Sequence, residues 1–149
     1  MSRSSFQVTS PEDSAGFLLW QTSAIWQRLI KTALEPYDIS HSQFVILAVL
    51  LWLSEQQQPI QTMLIEMTKL DKMTVSQALK KLAAKDLIKR QEAPDDPRAK
   101  LVFLTIKGKT LIKKLVLVIE EVDQQFFNHL KKNDLQSFKA SLMQLITNN

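Results

Sequence analysis

Cysteine is absent from this 149-residue chain, which excludes disulfide frameworks, thiolate metal sites, cysteine nucleophiles and thiol-based redox sensing. Histidine is almost as scarce. His41 and His129 are the only two, too few for a nitrogen-rich metal site within one chain. Glycine is limited to Gly16 and Gly108, and prolines are few, a composition that favours helices joined by short turns. No G-x-S-x-G, P-loop or G-x-G-x-x-G occurs, so no enzyme, catalytic residue, metal or cofactor is expected. The acids Glu120, Glu121 and Asp123 share a helix with several lysines and read as a solvated face. The longest apolar run, Phe44 to Leu53, has ten residues, short of the roughly 20 that a membrane helix needs. The opening "MSRSSFQVTS" lacks the apolar stretch of a signal peptide. These absences leave one soluble, cytoplasmic domain of residues 1–149, long enough to bury a core unaided.

What is present begins with charge. The net charge is +4, but from Ile60 to Lys109 eleven basic residues face six acids, while the rest of the chain is close to neutral. A basic middle third between neutral flanks points to a polyanion partner.

Helical periodicity organises most of the sequence. A first helix is expected from Pro11 to about Leu34, with Glu12 and Asp13 complementing its dipole. Phe17, Trp20, Ala24, Ile25 and Leu29 form one stripe on it, widened by Trp26, Ile30 and Leu34. A second begins at Ser40, whose spacing to Gln43 makes a capping box, and runs through "FVILAVLLWL", apolar all round and therefore buried. His41, in its first turn, reads as an exposed bystander. A short third helix spans about Thr62 to Thr68, and Asp71 is positioned to cap a fourth from Lys72 to Lys85. "LIKRQE" and "LVFLT" read as two strands around an eight-residue tip, Ala93 to Lys100. Thr105 is placed to cap a fifth helix from Ile106 to about Leu130, and Asp134 a sixth from Leu135 to Ile146. The expected order is α-α-α-α-β-β-α-α, mainly helical with a small β-wing.

The fifth helix carries two apolar stripes, Leu111, Leu115, Val118, Val122 and Phe126 beside Ile112, Val116, Ile119 and Phe127. That exceeds the needs of one core and predicts a homodimer, with the first and last helices sharing the interface.

The fourth helix points to a partner. Its inward face is Val75, Ala78, Leu79 and Leu82. Met73, Gln77, Lys80 and Ala84 lie opposite, flanked by Thr74, Ser76 and Lys81. A short helix, a tight turn and a helix with a polar, basic outer face follow helix-turn-helix logic, in which the second helix enters a major groove of double-stranded DNA. A glutamine amide such as Gln77 can make two hydrogen bonds to adenine; Thr74 and Ser76 can reach bases or phosphate, and Lys80 and Lys81 supply backbone charge. The hairpin behind them makes a winged helix. On its tip Arg98 is placed to enter a minor groove, with Asp96 to orient the guanidinium through a bidentate pair. Lys100 and Met73 complete the expected DNA-facing set.

"DPRAKLVFLTIKG" resembles the wing signature of the MarR (multiple antibiotic resistance regulator) family, D-x-R-x-x-x-V-x-L-T-x-x-G, with Asp96, Arg98, Val102, Leu104, Thr105 and Gly108 on its positions. "LDKMTVSQALKKLAAKDLIKR" is similar to that family's recognition helix and following strand, and "YDISHSQFVILAVL" to its second helix. The resemblance spans about residues 11 to 147. It implies a dimeric winged-helix transcription factor, with 11–34 and 106–147 as the dimerisation region and 40–105 as the DNA-binding lobe. It also implies minor-groove contact by Arg98 and major-groove contact by Thr74, Ser76 and Gln77. The sequence departs from the family at Gln77, where arginine is frequent, and at Asp86, where glycine is. Ile65 and Lys69 stand where many helix-turn-helix proteins carry alanine and glycine.

A small aromatic ligand is implied too, in a cleft between the helical region and the DNA-binding lobe. Phe17, Trp20, Trp26, Tyr37 and Trp52 are the aromatic candidates for its walls, with Arg28 or Lys31 to pair a carboxylate. The resulting expectation is a repressor released by that ligand. The rival is a winged-helix dimer acting as a protein-interaction scaffold or an architectural DNA binder.

Overall fold

The structure is a computed structural model that describes residues 5–149. Its elements are α1 (Ala15–Leu34), α2 (His41–Ser54), α3 (Gln61–Thr68), α4 (Lys72–Ala84), β1 (Ile88–Ala93), β2 (Asp96–Leu104), α5 (Ile106–Phe127) and α6 (Lys132–Thr147), the order expected from the sequence. Two short 3-10 turns, Pro11–Asp13 and Glu35–Tyr37, flank α1. The proline at position 11 therefore opens a separate turn, and Ser14 caps α1 by accepting from the Phe17 N–H. At the other end of the chain α6 starts earlier than Asp134, after Lys131, with no side-chain cap.

α2 is the centre of the core. The Ser40–Gln43 capping box fixes its start, and Phe44, Ile46, Leu47, Leu50 and Leu53 are buried along it. α4 packs Val75, Ala78, Leu79 and Leu82 against the same core, as the periodicity predicts. From α5, Ile112, Leu115 and Ile119 point inward, so the buried seam takes residues from both apolar stripes. Each of these side chains larger than the Ala78 methyl contributes about 1.5–3 kcal/mol through burial.

The main stripe of α1 faces the other way. Ile30 and Leu34 are buried, but Phe17, Trp20, Ile25 and Leu29 are exposed. None of the residues of α6 is buried, and Met143, Leu145 and Ile146 are exposed on it. Leu117 of α5, assigned to neither stripe, is 69 % exposed. Such an accumulation of exposed large apolar side chains marks an interaction surface. No single helix among the described residues is long and apolar enough to cross a membrane.

Trp26, His41 and Asp123 meet where α1, α2 and α5 join. The Trp26 Nε1–H donates to Asp123 Oδ1 at 2.7 Å, and the His41 ring stands edge-on to the indole with centroids 5.1 Å apart. Asp123 is therefore a half-buried structural acceptor, not part of a solvated face, and His41 is half-buried rather than an exposed bystander. Burial holds the His41 pKa below its ordinary 6.5, with the Asp123 charge pulling the other way. A lowered folded-state pKa means the unfolded chain binds the proton more tightly. Stability is thus complete above pH 6.5 and is lost as the pH falls into the window below it. Urea unfolding at pH 7.5 and pH 5.5 is the check, and His41→Gln is expected to remove the part of the acid-side loss that belongs to this ring.

Three non-glycine residues among those described have a left-handed backbone: Asp38 (φ 55°), Lys69 (φ 59°) and Asp86 (φ 62°). Lys69 ends α3 and Asp86 follows α4. These are two of the positions where the sequence departs from a frequent glycine, and a left-handed turn is the physical reason glycine is common there. Asp86 is held by a closing turn in which its N–H donates to the Ala83 carbonyl and the Leu87 N–H to that of Leu82, both at 3.0 Å.

Candidate nucleic-acid interface

α4 is set on its outer course by Asp71. Its Oδ1 accepts from the Thr74 N–H at 2.7 Å and its Oδ2 from the Thr74 hydroxyl at 2.9 Å. Those bonds hold the Asp71 carboxyl below the usual range, the Thr74 N–H contributing most. They also commit the Thr74 hydroxyl proton within the chain, leaving its oxygen as an acceptor. Met73, Gln77, Lys80 and Lys81 are exposed, and Ser76 is half-buried.

The wing is tighter than its sequence suggests. β1 and β2 pair antiparallel from Ile88↔Leu104 to Ala93↔Asp96, so the turn itself is Pro94 and Asp95 rather than eight residues. The register shifts after Glu92↔Lys100, which leaves residues 97–99 as a bulge. A bulge breaks the ladder and re-aims side chains. Arg98 stands on it, its side chain 95 % exposed. Asp96 Oδ1 accepts the Arg98 backbone N–H at 3.0 Å and lies 3.6 Å from Arg98 Nε. The expected bidentate pair is replaced by a single oxygen that fixes the backbone at Arg98 and only approaches the guanidinium. Exposed pairs of this kind add almost nothing to stability.

A third segment joins the wing. Ile60 forms an isolated β-bridge with Leu101, and the Val102 N–H donates to the Pro59 carbonyl at 3.0 Å. The start of α3 is thereby locked beside β2. Between α3, α4 and the wing runs a groove of about 740 Å³. Ser76 and Lys80 reach it from α4, with Arg98 and Lys100 from β2. Lys72, Arg90 and Gln61 line it as well, none of them marked as a DNA contact by the sequence pattern. Arg90 shows in the sequence only as part of the basic segment, and Gln61 carries no local signal. Five cations line this groove against one acid, Asp96. Lys81 does not join them. It lines the opposite face of α4, in a cleft of about 870 Å³ shared with Arg28, Lys31, Asp38, His41 and Lys85.

The five aromatic candidates for a ligand wall are not brought together. Phe17 lies beside Val8 and Pro11, and Trp20 and Trp52 are exposed. Trp26 is engaged by Asp123, and Tyr37 lies under the Lys114 ammonium, 5.3 Å from the ring centroid. Arg28 and Lys31, named as carboxylate partners, do share the larger cleft. Across it Lys85 Nζ donates to the Asp38 carbonyl, lies 3.5 Å from the Asp38 carboxylate and donates to Gln43 Oε1 at 3.4 Å.

Comparison with known proteins gives a consistent picture. The family model described as ArnR1-like, winged-helix domain matches residues 35–123. The uncharacterized HTH-type transcriptional regulator YdcH of Bacillus subtilis (strain 168) is 32% identical over 141 residues, covering 94% of this chain and 95% of that protein. Among solved structures, a MarR-family transcriptional regulator from Rhodococcus sp. RHA1 superposes with a TM-score of 0.84 at 18% identity, covering 95% of this chain and 99% of that one. The S. aureus MepR–DNA complex superposes at 0.83 with 24% identity, covering 91% and 98% of the respective chains.

Proposed function

The chain belongs to the ArnR1-like winged-helix family and has the MarR fold, and from that premise we propose that it is a sequence-specific, double-stranded-DNA-binding transcriptional regulator acting as a homodimer. The observation that carries the reading is the groove between α4 and the wing, where Lys72, Lys80, Arg90, Arg98 and Lys100 converge. Cations in such numbers beside an exposed helix face neutralise phosphates and release counterions. Gln77 and Ser76 then meet base edges in the major groove, Lys80 and Lys100 meet phosphate, and Arg98 enters the adjacent minor groove, with Asp96 fixing the backbone beneath it. Met73, Thr74 and Lys81 border this surface, Lys81 from the cleft side.

Dimerisation uses 11–34 and 106–147, and the lobe 40–105 meets DNA. The exposed stripe of α1 and the wholly unburied α6 support this division. Two copies related by a two-fold axis place their α4 helices about 34 Å apart, in successive major grooves. The regulator works in the cytoplasm as a repressor released by a small anionic ligand. Its site is the cleft of Arg28, Lys31, Lys81 and Lys85, where a carboxylate competes with Asp38 for Lys85 and biases one arrangement of lobe and dimer over another.

Selection of bound duplexes from a random-sequence pool at a fixed salt of about 0.15 M tests the reading. Enrichment of an inverted repeat, half-sites one helical turn apart, is the expected result. Binding without enrichment would reduce the protein to an architectural DNA binder. No binding by the folded protein, with or without small aromatic acids, would put a protein-scaffold role in its place.

A further inference from the structure

Gln61 is the first residue of α3, and its side chain reaches fifteen positions along the chain to the recognition helix. Its Nε2–H donates to Ser76 Oγ at 3.2 Å. Its Oε1 is buried without a hydrogen-bond partner among the described residues. The opposite orientation of the amide would strand two N–H donors in place of one oxygen, so the observed orientation is the favoured one. The residue before it, Ile60, bridges Leu101 of the wing, so Gln61 sits where α3, α4 and β2 are joined.

A serine hydroxyl has one proton and two lone pairs, and it rotates to suit its partners. With one lone pair occupied by the Gln61 amide, the Ser76 O–H cannot point back at that donor. Among the described residues no acceptor takes that proton, and the open groove lies beside it, so the hydroxyl is left to donate there. The cations of the groove, Lys72, Lys80, Arg90, Arg98 and Lys100, offer only donors, and the one carboxylate, Asp96, is turned to Arg98, whose backbone N–H its Oδ1 accepts, rather than to Ser76. Acceptors on a major-groove edge do so: purine N7, guanine O6 or thymine O4.

We propose that Gln61 is a specificity-positioning residue, which by donating to Ser76 turns that hydroxyl into a fixed hydrogen-bond donor and selects an acceptor-bearing base edge opposite it. This rests on the DNA-binding reading given above. Gln61 itself touches no base; it acts through Ser76.

The test is duplex selection by the full-length wild type and by the Ser76→Ala, Gln61→Met and double variants, with thermal unfolding to establish that each is folded. Wild-type protein is expected to disfavour cytosine, the one base without a major-groove acceptor, at one position in each half-site by about three- to tenfold, the worth of a single hydrogen bond. Ser76→Ala and Gln61→Met should each erase that preference at the same position. The double variant should go no further than either alone, because the two residues act as one unit. Gln61→Glu is the second probe, chosen because it keeps the length and acceptor but cannot donate. Its carboxylate draws the Ser76 proton inward, and the same preference should vanish although the added charge weakens binding to all duplexes. Three results would overturn the proposal: a motif unchanged in Ser76→Ala, a Ser76-dependent preference that survives Gln61→Met, or Gln61 variants that weaken all duplexes equally with the motif intact. Failure of the wild type to enrich any motif is separate, because it removes the sequence-specific reading and this inference together.

Discussion

Gly108→Ala is expected to destabilise the fold by about 3 kcal/mol, towards the upper end for overpacking a filled site. A Cβ built on Gly108 would lie 2.0 Å from the Leu87 carbonyl oxygen and 2.9 Å from its carbon. These are backbone atoms, so no rotamer change relieves the clash. The same carbonyl accepts the Thr105 N–H at 3.1 Å, and Thr105 Oγ1 in turn accepts the Gly108 N–H at 2.9 Å as the cap of α5. Moving Leu87 away from a methyl group therefore breaks the bond that seats α5 against the foot of the wing. Lys107, on the same turn, donates to the Lys85 carbonyl at 3.2 Å, so the end of α4 is drawn into the disturbance. Thermal or urea unfolding is the measurement, and a drop of roughly 6–12 °C in Tm corresponds to the expected loss for a chain of this size. An unchanged Tm would mean that Leu87 and α5 are not in van der Waals register.

The paired substitution Arg90→Ala, Arg98→Ala is expected to act on DNA and leave the fold alone. Both side chains belong to exposed residues lining the groove, and the Asp96–Arg98 pair contributes almost nothing to stability. If each arginine neutralises one phosphate-equivalent, a dimer loses about four, and the salt slope of log K falls by about 3–4. At about 0.15 M salt this weakens binding on the order of a hundredfold or more, across specific and random duplexes alike. Affinity measured at several salt concentrations by anisotropy tests it. An unchanged slope would remove both arginines from the interface. A lowered slope with Tm unaltered would separate their role from that of Gly108, whose replacement shifts Tm.

Much of this arrangement was legible in the sequence wherever the signal was local. The Ser40–Gln43 capping box, the Asp71 and Thr105 caps and the inward face of α4 all depend on residues within one or two turns of each other. The sequence suggests too long a tip for the wing, for a physical reason. Alternation breaks at a bulge, and the prolines and acids around Arg98 look like loop residues although Asp96 is already paired with Ala93. Asp134 looks like the cap of α6 in the sequence, whereas the helix starts after Lys131, which provides no side-chain cap. The aromatic residues look like a set when written in a line. Helical rotation sends Trp26 towards Asp123 and leaves Trp20 on the outer face of the same helix. Within the groove, Ser76, Lys80, Arg98 and Lys100 stood out by charge or by helical position, whereas Gln61 acquires its meaning from a contact across fifteen residues that no periodicity announces.

The left-handed residues at either end of α4 determine how this lobe can move. For a side chain with a Cβ the left-handed well is small and steep-walled. Lys69 and Asp86 therefore give the turns before and after the helix a narrower backbone range than glycines would. The capping bonds from Asp71 and the closing turn at Asp86 tighten the same two joints. α4 is thus tied at both ends to its neighbours, α3 and the wing. In the dimer proposed above, a change in the span between the two α4 helices would then come from the lobe turning as one piece about its junctions with α1 and α5, so that small displacements at the cleft of Lys81 and Lys85 are magnified at the wing tip.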